Sequence, residues 1–134
     1  IKFKPVIKRW RDDYSKSISG YVIDNNSIIR KRSNITNGDS NYNLFATKKQ
    51  AKFALAIAQI SQMMANDERF GGVVTDEEWK DASIIKHSIE REEGNIKKTT
   101  SITYYKFLAF HTREQRELFL EENKDLVKDF LMID

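Results

Sequence analysis

Phe45-Ala46-Thr47-Lys48-Lys49-Gln50 and Phe110-His111-Thr112-Arg113-Glu114-Gln115 carry one pattern, F-x-T-x-x-Q, and each stands at the start of a helical periodicity. Thr followed three residues later by Gln is a capping box. The hydroxyl accepts from an orphan N–H of the first turn, and the amide side chain reaches back to the N–H of the cap residue. Thr47 and Thr112 are therefore expected to open helices. What precedes each start also matches. Residues 19–24 and 27–32 read as two strands around Asp24-Asn25-Asn26, whose side chains suit a tight turn. Residues 83–91 and 100–110, rich in Ile, Thr, Tyr and Phe, read as two more around a connection containing Gly94-Asn95. The expectation is an α+β fold. Two β-β-α-like units, about 17–66 and 83–134, form an antiparallel sheet of about four strands with helices packed on one face, in a single domain over 1–134.

The first helix, 48–66, places Phe53, Ile57, Ile60 and Met64 on one face and Ala51, Ala54, Ala58 and Ala65 on a second, with Leu55 interrupting the polar stripe. A helix apolar around most of its girth needs cover on two sides, from the sheet and C-terminal helices or from a second subunit. Phe53, Leu55, Ile57 and Ile60 are the candidates for core burial or self-association. Arg69-Phe70-Gly71-Gly72 breaks the chain. Thr75-Asp76-Glu77-Glu78 is a third capping box, opening a short helix with Trp79 as its packed anchor. Residues 33–42, rich in Ser, Asn, Gly and Thr, read as a loop. At the end, Leu118 and Phe119 face inward from the helix after Thr112. Asn123 is placed to cap a last helix with Leu126, Val127, Phe130 and Leu131 on one face.

The stretches FATKKQAKFALAIAQISQMMANDERFGGVVTDEEW (45–79) and YYKFLAFHTREQRELFLEENKDLVKDFLMI (104–133) resemble a group of small uncharacterised proteins of gut Bacteroides-type bacteria, their prophages and phages. The resemblance covers about half of the chain, is most specific in FHTREQRELFLEENKDLVKDFLM, and is weakest over residues 1–19. It implies a bacterial or phage context and carries no catalytic residue over.

The 134 residues are 40% hydrophobic and 32% charged, the balance of an ordinary domain able to bury a core without staples. With no cysteine, thiol catalysis, thiolate metal sites and iron–sulfur clusters are excluded. No apolar run approaches the ~20 residues of a bilayer span, and the charged stretch 1–11 lacks a signal-peptide core, so no membrane association and a cytoplasmic location are expected, with a place in a virion left open. Charge is split: residues 1–52 carry +8 and residues 53–134 carry −5, within a net charge of +3. Such a split marks an anionic partner for the basic part, or mutual attraction of the two parts within or between molecules.

The search for chemistry finds no constellation. His87 and His111 have no second His at metal spacing, and the five glycines build no phosphate loop. No G-x-S-x-G elbow is present, and Glu78-Trp79-Lys80, though E-x-K, falls on a helix where a nuclease motif needs a strand. No catalytic residue, cofactor or metal is assigned. The leading expectation is a non-catalytic interaction or assembly protein with a protein partner or a second copy. An inhibitor of a host or rival protein would use the same features. The alternative is sequence-nonspecific nucleic-acid binding through Lys8, Arg9, Arg11, Arg30, Arg32, Lys48 and Lys52, with Trp10 or Tyr21 available for stacking.

Overall fold

The structure, a computed structural model, describes residues 18–35 and 44–134. The chain divides into two compact units, Ile1–Ala51 and Lys52–Asp134.

In the first unit β1 (Ile18–Ile23) and β2 (Ile29–Ile35) form an antiparallel hairpin, with Gly20 opposite Arg32, Tyr21 opposite Lys31 and Val22 opposite Arg30. The turn is made by Asp24. Its Oδ1 accepts from the N–H groups of Asn26 (2.8 Å) and Ile28 (3.0 Å), its Oδ2 accepts from Arg30 Nε (2.7 Å), and Ser27 takes a positive φ of 62°. A two-residue strand, β3 (Leu44–Phe45), then returns to the free side of β1, Tyr21 opposite Phe45, giving the order β2-β1-β3. Gly20 admits this return: a Cβ there would lie 2.5 Å from the Phe45 carbonyl oxygen.

The second unit repeats the plan. β4 (Lys86–Glu92) and β5 (Asn95–Ser101) pair around Glu93-Gly94, whose φ values of 51° and 77° are those of a type I′ turn. β6 (Ala109–Phe110) returns to β4 with His87 opposite Phe110, giving the order β5-β4-β6. The expected four-stranded sheet is therefore corrected to two three-stranded sheets among the described residues. The physical reason is the short third strand: it occupies the second pairing edge of β1 and of β4, so neither central strand has an edge left for the other hairpin. The expected strand over 100–110 is likewise corrected. Its pairing residues belong to β5, which starts at Asn95, and to β6, with a loop between them. Of the expected loop 33–42, residues 33–35 belong to β2 and the rest lie outside the described residues.

Each third strand runs straight into a capped helix. Gln50 N donates to Thr47 Oγ1 (3.1 Å) and Thr47 N to Gln50 Oε1 (3.3 Å), opening α1 (Lys48–Asn66). The Thr112 box has the same two bonds at 3.1 and 3.0 Å and opens α3 (Arg113–Glu122). The third box, at Thr75, opens α2 (Asp76–Lys80) and buries Trp79. The last helix, α4 (Lys124–Phe130), begins at Asn123, but that side chain donates back to the Phe119 carbonyl (3.1 Å) and makes no cap bond, contrary to expectation. Lying after α3 without an intervening turn, Asn123 serves as the C-terminal residue of one helix before it can cap the next.

The core of the second unit joins Ile60 and Met64 of α1 to Ile89, Leu108, Phe110, Phe119, Val127 and Phe70. Phe70 lies on a 3₁₀ turn, Glu68–Phe70, and meets Phe119 edge-on at 4.9 Å, while Phe110 meets Phe119 at 5.2 Å. Gly71 ends that turn at φ 80°, and a Cβ there would collide with the Gln115 amide that closes the Thr112 box. Truncation of the central ring, Phe119→Ala, is expected to cost about 3–5 kcal/mol, whereas Thr112→Ala costs about 1 kcal/mol. Urea titrations followed by circular dichroism measure both, and equal losses would contradict this account of the core.

Candidate interaction surface

β4 begins on Lys86, whose side chain is fully buried in the second unit. An ammonium taken out of water is tolerated only with partners. Lys86 Nζ donates to the main-chain carbonyls of Asp81 (2.9 Å) and Ile102 (2.5 Å) and sits 5.4 Å from the Trp79 ring centre. The Asp81 carboxyl is held below its ordinary pKa, first by bonds from the Ser83 hydroxyl and N–H and further by the charge of Lys86. One buried cation thus ties the residue leaving α2 to the residue leaving β5.

The loop that starts at this clamp, residues 102–108, is fixed at further points. Ser101 Oγ donates to the Tyr104 carbonyl (2.6 Å), Tyr105 packs on Trp79 (5.4 Å between centroids) and Phe107 on Phe130 (5.2 Å). Leu108 anchors the far end in the core. Between these anchors the loop turns apolar side chains outward. Tyr104 is 81% and Tyr105 66% exposed, and Ile85, Ile102 and Phe107 are exposed beside them. Three lysines on the sheet side are matched by carboxylates: Lys106 with Glu90 at 3.0 Å, Lys97 with Glu92 at 3.0 Å and Lys98 with Glu117 at 2.5 Å. The exposed part of the loop is apolar, and the lysines on its sheet side are charge-balanced.

Beside α2, Glu78 joins two helix starts. Its carboxylate accepts the Thr75 N–H (3.1 Å) and meets His111 Nε2 at 2.8 Å, one residue ahead of the Thr112 cap. Its pKa is lowered to about 2, chiefly by the Thr75 backbone bond and next by His111. The His87 imidazole is also held below its ordinary pKa, first by burial and next by the charge of Arg116.

The residues singled out by sequence are distributed differently. Ile60 is buried, and Phe53, Leu55 and Ile57 are half-buried, Phe53 stacked on Phe130 at 6.0 Å. Arg30 and Arg32 are exposed on β2, an edge strand among the described residues, on the face opposite to Tyr21, which shares its side with Lys31. Tyr21 is therefore not brought to Arg30 and Arg32. Lys48 and Lys52 are exposed one turn apart on α1, reached from β3 at the other edge of the sheet. Lys8, Arg9, Trp10 and Arg11 lie outside the described residues. The aromatic loop and Lys86 were missed because 100–110 reads as one strand. Its eleven residues, about twice the usual strand length, with two adjacent tyrosines, were the signal for a break.

Lys86→Met takes the ammonium donor from the Ile102 carbonyl while the Asp81 carbonyl keeps the Ile84 N–H (3.2 Å), a loss of about 1–3 kcal/mol. Chymotryptic cleavage in residues 102–108 is expected to accelerate by about tenfold or more, the factor for 1.4 kcal/mol of lost local stability. Unchanged cleavage would show that Lys86 does not hold the loop. A depressed carboxyl pKa contributes stability above the unfolded value, lost as pH falls through the folded one. Glu78→Gln is thus expected to lower the melting temperature at neutral pH, with the difference from the parent shrinking as pH falls from about 4.5 towards 2. Melts across that range measure it.

Comparison with known proteins finds no matching family model, no matching curated protein and no matching solved structure.

Proposed function

We propose that the protein is a non-catalytic interaction module of a bacterium or its phage, acting in the cytoplasm or in an assembling particle, and that it grips a protein through residues 102–107. The observation that carries this reading is Tyr104, 81% exposed on a loop that Lys86, Ser101 and Trp79 hold in place. Exposed apolar side chains on a fixed loop lose little conformational freedom on binding, so more of their burial is available as affinity. Tyrosine is a preferred anchor at interface centres. The balanced lysines beside the loop favour a protein over a polyphosphate, because those cations already have carboxylates.

Nucleic-acid binding is the second reading. It is supported by the exposed run Arg30, Lys31 and Arg32 on β2 and by a first turn of α1 with lysines and no acid. The separation of Tyr21 from Arg30 and Arg32 weakens it by removing the stacking partner from the basic face.

A photocrosslinking phenylalanine analogue placed at position 104 and expressed in the native host is expected to give discrete protein adducts, absent when the analogue replaces exposed Lys124. No adduct at 104 above that control would remove the first reading. For the second, fluorescence anisotropy with random oligonucleotides at low salt is expected to show binding that weakens steeply as salt rises. No binding at about tens of micromolar at low salt, where phosphate contacts are strongest, would dispose of it.

A further inference from the structure

We propose that the packing of α3 on the central strand β4 is an acid-sensitive joint with the His87 imidazole as its trigger: the neutral ring lets the helix lie on the sheet, and a proton on the ring loosens it. His87 stands opposite Thr100 of β5 and Phe110 of β6. Its side chain therefore shares the face of Ile89 and Phe110, the face that α3 covers through Phe119. The ring is half-buried there, and its Nδ1 is buried with no hydrogen-bond partner among the described residues. A neutral imidazole leaves one nitrogen unpaired in this position. The imidazolium carries an N–H on both nitrogens, so protonation turns that nitrogen into a buried donor that bears charge and has nothing to donate to.

The charges around the ring oppose the proton further. Its neighbours on α3 are Arg116, Glu114 and Arg113, two cations against one carboxylate. The facing residues of the sheet, Thr100 and Phe110, are uncharged, and Lys98, on the same face of β5, is bound to Glu117. Glu117 also meets Arg116 Nη2 at 3.1 Å, so that carboxylate already serves two cations. Arg116 is poorly placed to turn away: its side chain is 8% exposed, and its Nη1 donates to the Thr99 carbonyl of β5 at 2.9 Å. A charge on His87 is relieved by moving α3 off the sheet, at the expense of the Arg116–Thr99 bond and the Phe119 contacts. Burial first, and Arg116 next, hold the ring below its ordinary pKa of 6.5. The unfolded chain then takes up its proton before the folded one does, and stability falls as pH drops from about 6.5 towards the folded value.

Thermal melts of the full chain at about pH 7.5 and about pH 5.5, a window above the ordinary carboxylate range, test this. The unaltered chain is expected to lose about 3 °C or more of melting temperature across the window, and His87→Gln about half of that or less. His111 meets Glu78 in both proteins, so its contribution cancels in the comparison. Arg113→Gln removes an exposed guanidinium from beside the ring and is expected to shrink the loss. Two measurements need no substitution. The His87 ring, followed by NMR in the unaltered chain, is expected to titrate below 6.5. Amide protection in α3, corrected for intrinsic exchange rates, is expected to fall about threefold or more across the same window.

No loss in the unaltered chain, an equal loss in His87→Gln, a ring that titrates at or above 6.5, or α3 protection that does not follow that titration would each overturn the proposal. Should His87→Gln fail to fold, the ring titration and the α3 exchange decide it alone. The docking surface at residues 102–107 stands or falls separately, because none of these measurements involves a partner.

Discussion

The fold depends on how a two-residue strand is converted into a helix without leaving backbone groups unpaired. β3 and β6 are too short to be stable by themselves, and the helices after them would each begin with orphan N–H groups. Thr47 with Gln50 and Thr112 with Gln115 satisfy one donor of the first turn and the N–H of the cap at the same time, so the chain leaves the sheet and enters the helix at one residue. In the second unit that junction is also the centre of the core. Phe110 ends β6 two residues before the cap, Phe119 lies two turns into α3, and Phe70 closes on Phe119 from the segment that Gly71 terminates. Gly71 must lack a side chain partly because the Gln115 amide occupies that space while it serves Thr112. Cap, glycine and aromatic cluster are one arrangement.

The two units use the same topology for different ends. The residue before the strand position that faces Phe45 or Phe110 is Gly20 in one and Lys86 in the other. Gly20 lets β3 approach closely; Lys86 sends an ammonium inward to hold the ends of α2 and β5. The segments that follow the hairpins differ in the same sense: 36–43 is made largely of Asn, Ser, Thr, Asp and Gly, whereas 102–108 carries Ile, two Tyr, Phe and Leu. The topology is repeated while the sequence between hairpin and third strand differs, as expected where caps and core hold the scaffold and the connecting segment varies.

Electrostatics divide along the same line. In the second unit most cations near the aromatic loop have a carboxylate within reach, and the buried Lys86 is satisfied by carbonyls and a ring. In the first unit Arg30, Lys31 and Arg32 are successive on β2, with Arg30 held by Asp24 (2.7 Å), and among the described residues that strand is at the sheet edge, where like charges discourage indiscriminate strand pairing.

The repetition was legible in the sequence because capping boxes and hairpin turns are local chemistry: Thr and Gln three residues apart, Asp24 ahead of two asparagines, and Gly94 supplying a positive φ each act within a few residues. The span 48–66 followed from helical periodicity for the same reason, and so did the placing of Trp79. Sheet composition was not legible, because whether two hairpins join or each captures its own third strand depends on pairing between residues more than twenty positions apart, as Tyr21 with Phe45 and His87 with Phe110. The loop that carries the candidate site was hidden for a related reason. Its residues have strand-forming side chains, and what keeps them out of a strand is the grip of Lys86 and Trp79, which only tertiary packing brings to Ile102 and Tyr105. Short-range bonding is written in the order of residues; long-range pairing and the burial of a charge are settled by which surfaces meet when the chain closes.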